Sequence, residues 1–152
     1  MIPLDYLSVA RFHGPDAGDF LHRQLSADIA ALAPGAACFA CCCTPRGQVI
    51  GLLLVCRQGD EFLVAGSAEL LPVILARLRM FVLRSRVEFS IQPDLRVYGA
   101  ESTTALCGSE SFQPGGLGLC YGISPEADVV ETVGESFKLS EIRHRVAWLD
   151  AQ

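Results

Sequence analysis

Apolar positions along the chain switch between two periods, and the switches mark its elements. Residues 6–13 alternate as a strand, with Leu7, Val9 and Phe12 facing inward. Gly14-Pro15-Asp16 then opens a helix, because proline fits a first turn whose N–H groups have no partner. Ala17, Phe20, Leu21 and Leu25 recur at helical spacing and form its buried stripe. Asp28 caps a short turn through Leu32, which Pro34-Gly35 ends. Strands are predicted over 37–43 and 48–57, flanking the turn Thr44-Pro45-Arg46-Gly47, and over 61–65 after Gln58-Gly59-Asp60. Ser67 is expected to cap a helix reaching about residue 83. Strands over 86–91 and 95–100 flank Pro93-Asp94. A short helix over 102–107, strands near 117–123 and 127–133, and a helix from Glu135 complete the pattern. Strands in antiparallel hairpins with single intervening helices make this an α+β chain and not a doubly wound one.

The 152 residues suffice for one cored domain, or for two small lobes at about 1–92 and 93–152 that share a core. Mean hydropathy is +0.35 and 51% of residues are hydrophobic, which invites a membrane reading. The longest near-continuous apolar run, 49–56, is too short, since a spanning helix needs about 20 residues. The excess apolarity therefore points to buried strands and to a surface that something else covers, including a second copy of the chain. The net charge of −5, with a single lysine at Lys138, leaves no basic cluster for phosphate tracking, so direct nucleic-acid binding is not expected. Arg77, Arg79, Arg84 and Arg86 read as a solvated face on and after a helix. The first residues have neither the basic nor the apolar segment of a secretory signal, and seven cysteines are an odd number. Free thiols in the cytoplasm are the expectation.

Three blocks of sequence resemble one family in order and spacing. Phe12-His13-Gly14-Pro15-Asp16-Ala17 followed by Phe20-Leu21-His22-Arg23-Gln24-Leu25-Ser26-Ala27-Asp28-Ile29 is similar to the opening of the YgfZ family. That opening reads Gly-x-Asp-Ala and then Phe-Leu-Gln-x-Gln-Leu-Thr-x-Asp-Val. Thr44-Pro45-Arg46-Gly47-Gln48-Val49 resembles its Pro-Lys-Gly-Arg-Val turn. Phe81-Val82-Leu83-Arg84-Ser85-Arg86-Val87 resembles its Tyr-Val-Leu-Arg-Ser-Lys-Val segment. The resemblance covers the chain as the N-terminal part of such a protein. The family's Lys-Gly-Cys-Tyr-x-Gly-Gln-Glu motif and C-terminal barrel are absent, and His144-Arg145-Val146-Ala147 fits the preceding segment poorly.

The resemblance implies a fold like that of the T protein, the aminomethyltransferase of glycine cleavage, with a folate-sized cavity. It also implies tetrahydrofolate as cofactor, a role in iron–sulfur cluster assembly or repair, and iron–sulfur assembly factors or client proteins as partners. Some members affect tRNA modification through iron–sulfur enzymes. Where aminomethyltransferases carry Gly-Gly-Val-Ile-Asp-Asp, this chain reads Gly47-Gln48-Val49-Ile50-Gly51-Leu52. Neither glycine nor leucine transfers a proton, so folate binding without aminomethyl transfer is the expectation, and one-carbon transfer the enzymatic alternative.

By the same resemblance Leu7 and Phe137 fall at cavity-lining positions, Leu25 and Ile29 at apolar walls, and Gln24 and Asp28 at polar contacts. Arg46 would meet the folate's carboxylate tail beside Gly47 and Gln48, and Gly51 would make room for a flat pterin. Each has a plainer reading beside it: core packing for Leu25, Ile29 and Phe137, capping for Asp28, a solvated turn for Arg46. The rival is a metal or cluster module built from Cys38, Cys41, Cys43 and Cys56 on a Cys-x-x-Cys spacing. Strand alternation opposes it, since Cys41 and Cys43 then face away from Cys38 and Cys42.

Overall fold

In the computed structural model, residues 2–100, 110–112 and 120–124 are described. The strands β1 (Ile2–Pro3), β2 (Leu7–His13), β3 (Ala37–Cys43), β4 (Val49–Gln58), β5 (Glu61–Ser67), β6 (Glu88–Ile91), β7 (Arg96–Ala100), β8 (Glu110–Phe112) and β9 (Cys120–Ser124) form two sheets. The helices are α1 (Ala17–Gln24) and α2 (Leu71–Arg79). The larger sheet runs β3-β4-β5-β2-β6 and the smaller β1-β7-β9-β8, every pair antiparallel. This is an α+β fold.

The apolar runs are long because the larger sheet is covered on both sides. Ala10, Phe12, Ala40, Cys42, Leu53, Val55 and Val64 point to one face and pack under Phe20 and Leu21 of α1 and Ile74, Leu75 and Leu78 of α2. Leu7, Val9, Leu54, Cys56, Leu63 and Ala65 point to the other and meet Leu4, Val97, Tyr121 and Ile123 of the smaller-sheet region. Leu7 and Val9 thus face the small sheet and Phe12 the helices: both sides of β2 are interior. Residues on either side of position 92 share the second core.

The hairpin expected from Thr44-Pro45-Arg46-Gly47 is present. Gly47 sits at φ +80°, where a side chain would be strained. The Thr44 amide donates to the Gln48 carbonyl at 2.8 Å, and the Gln48 amide donates to Thr44 Oγ1 at 3.2 Å. Helix α2 departs from expectation at both ends. Ser67 does not cap it but ends β5 opposite Leu7, and the helix begins at Leu71 with Pro72 in its first turn. It stops at Arg79 because the chain turns twice, with Leu83 at φ +42°. Strands β1 and β8 have no counterpart in the hydrophobic pattern. The helix expected over 102–107, the strand over 127–133, the helix from Glu135 and the candidate Phe137 lie outside the described residues. No helix among the described residues is long and apolar enough to cross a membrane.

Candidate functional site

The candidates gather mostly at one end of the larger sheet, where β3 finishes, β4 and β2 begin and β5 ends. Leu25 follows α1 and bridges to Cys42, which in turn pairs with Gly51. Ser26 fixes that join: its amide donates to the Cys41 carbonyl at 3.0 Å and its Oγ accepts from the Cys41 amide at 2.8 Å. Arg46, Gly47 and Gln48 form the exposed hairpin tip beyond. Leu7 lies at the same end but on the opposite face, against the small sheet.

Each candidate then has a definite setting. Leu25 and Ile29 are buried in the helix-side core. Asp28 is exposed and caps its turn, accepting from the Ala31 amide at 3.1 Å, with His22 Nδ1 at 3.2 Å. Gln24 lines a cleft of about 670 Å³ with Phe20, Arg23, Phe81, Leu83, Arg84 and Ser85. Leu7 lines a second cleft of about 260 Å³ between β2 and the 91–97 segment. The latter holds a buried hydroxyl, Ser8 Oγ, without a hydrogen-bond partner, an arrangement that costs free energy unless something fills it. Only the former falls within the roughly 300–1,000 Å³ of small-molecule sites.

Gly51 faces α2, and a Cβ there would stand 2.8 Å from Ile74 Cδ1. The room that the glycine leaves is therefore occupied by Ile74. Leu52, on the other side, packs against the core shared with the small sheet. No acid stands at either position; Gly51 is buried and Leu52 half-buried.

The cysteines are not brought together. Cys38 and Cys42 pack on the helix side, whereas Cys56 lies in the core toward the small sheet. Strand alternation sets Cys38 on the opposite face from Cys56, and among the described residues no group of three or more His, Cys, Asp or Glu could hold a metal ion. Burial also pushes the Cys38 and Cys42 thiols up, the latter against the opposing field of Arg77. Protonated thiols are poor ligands and nucleophiles.

Sequence reasoning missed two features. Ser8 was one of many polar residues at alternate strand positions. The α1 cleft joins residues some sixty positions apart, and Arg84 read only as a solvated charge.

The arrangement of two sheets and two helices recurs in a solved structure. The glycine cleavage system aminomethyltransferase T from Bartonella henselae superposes with a TM-score of 0.65 over 80% of this chain and 40% of that one, at 16% identity. The fold is T-protein-like. Sequence relatives agree: an aminomethyltransferase of Rubrobacter xylanophilus is 30% identical over 90 residues, which is 59% of this chain and 24% of that protein. An uncharacterized protein of Haemophilus influenzae is 26% identical over 99 residues, 64% of this chain and 35% of its own length. The chain thus spans about a quarter to a third of these curated relatives. No protein-family model matches it. Within this T-protein-like fold Gly51 and Leu52 lie on β4.

Proposed function

We propose that this chain is a YgfZ-type folate-binding protein of the T-protein superfamily, which binds tetrahydrofolate without aminomethyl transfer. The observation that carries the reading is the pair Gly51 and Leu52 on β4, one under Ile74 and the other half-buried against the inter-sheet core. A T-protein-like fold without a carboxylate at this position keeps a scaffold for folate while lacking a proton carrier there. The aminomethyltransferase relatives support the ligand class. The functional role follows from the same reading: support of iron–sulfur cluster assembly or repair in the cytoplasm, with assembly factors or client proteins as partners. Exposed Val73 and Met80 at α2 give a second copy of the chain an apolar surface to meet.

Calorimetric titration with tetrahydrofolate tests the reading. Saturable binding is expected, weakened about tenfold or more by Phe137→Ala, and by Arg46→Ala if the arginine meets the glutamate tail. Arg46 is exposed, so its loss leaves the fold intact. An assay for aminomethyl transfer should give no turnover. Clear turnover, or a titration without saturation, would overturn the proposal.

A further inference from the structure

The cleft at the end of α1 has a chemical character of its own. Its floor is Phe20, buried in the core, and its rim is Phe81 and Leu83, both exposed. Arg23 and Arg84 stand at its sides, with the Gln24 amide and the Ser85 hydroxyl as further polar groups. The chain carries seventeen acidic residues against twelve basic, yet no carboxylate lines this cleft. Among the described residues neither arginine is in a close ion pair: Arg23 Nε donates to the Asp19 carbonyl at 3.2 Å and its charge reaches the Asp16 carboxylate only at longer range. Arg77 is not in the lining but lies behind it, its guanidinium 5.7 Å from the centre of the Phe81 ring.

Leu83 sharpens the point. It is 87% exposed and adopts φ +42° in the turn that the Ser85 amide closes onto the Val82 carbonyl at 2.7 Å. A left-handed leucine costs about 1–2 kcal/mol, and exposure returns nothing for its apolar surface. Folding alone gives no reason for leucine here, whereas a ligand seated against it does.

We propose that this cleft binds a small aromatic carboxylate, its ring against Phe81 and Leu83 and its anionic group between Arg23 and Arg84. Guanidinium forks suit the planar oxygen pair of a carboxylate, and apolar rim residues suit an arene. Gln24 alone is shared with the folate candidates, and the probe below contains no pterin, so either reading can fail while the other stands.

The test is a titration of the full chain with 1-naphthoate, followed by amide chemical shifts. Saturation on the order of 1 mM is expected for so small a ligand, with the shifts concentrated at residues 81–85. Naphthalene-1-methanol, which keeps the ring without the charge, and acetate, which keeps the charge without the ring, should each bind at least about tenfold more weakly. Arg84→Gln should lower the affinity for naphthoate by about tenfold, and Arg84→Lys by less. Leu83→Gly should weaken binding while leaving the thermal midpoint unchanged or raised, which separates lost contact from lost fold. Absence of saturation, equal binding of the neutral ring, or full affinity in a folded Arg84→Gln variant would each overturn the proposal.

Discussion

Asp16 shows how one side chain ties distant parts of this chain together. Its Oδ2 accepts from the Arg86 backbone amide at 2.7 Å and lies 3.5 Å from the Arg86 guanidinium. Gly14 makes the approach possible, since a Cβ there would run into the Arg86 carbonyl. The amide bond foremost, and then the guanidinium, hold the Asp16 carboxyl below its ordinary value of 3.8. A carboxylate favoured in the folded state stabilises the fold above its unfolded pKa, and that contribution disappears as pH falls through the lower folded value. The stability gap between the native chain and Asp16→Asn should therefore be constant from about pH 8 to pH 5 and close below about pH 4. Urea midpoints across that range check it, and a gap that widens on acidification would contradict the sign.

At the scale of elements, Gly51 matters because it lets α2 settle on β4. Restoring a carboxylate with Gly51→Asp forces Ile74 aside and buries a charge, at about 2–4 kcal/mol. Denaturant unfolding should show that loss, together with no gain of aminomethyl transfer. The β3–β4 hairpin was legible because its turn chemistry is local: proline at Pro45, glycine at the positive φ of Gly47, and apolar runs on either side. The start of α2 was not, because Ser67 is an equally good cap and strand residue, and its pairing with Leu7 is invisible in one sequence. Strands of two or three residues such as β1 and β8 carry no period to detect. Among the candidate residues, Asp28 shows its capping bond in the local sequence. The cleft around Gln24 needed three dimensions, since Phe20 and Arg84 meet only when the turn after α2 folds back onto α1.

Across the whole molecule, the larger sheet is the shared wall between two cores, one under the helices and one under the smaller sheet. Tyr121 is the main tie on the second side: fully buried, it meets the Phe39 ring edge-on at 5.8 Å between centroids. Tyr121→Ala should cost about 3–5 kcal/mol. Hydrogen exchange should then speed up first in β7 and β9, while β4 and β5 stay protected through the helix-side core. Uniform acceleration in all strands would show instead that the two cores unfold as one. Strand β1 adds a matter of timing. Ile2 pairs with Gly99 and Pro3 with Tyr98, so during synthesis this strand finds its neighbour only after nearly a hundred further residues have been made. Until then its polar backbone and the adjoining apolar Leu4 wait in solvent, a natural place for a chaperone to hold.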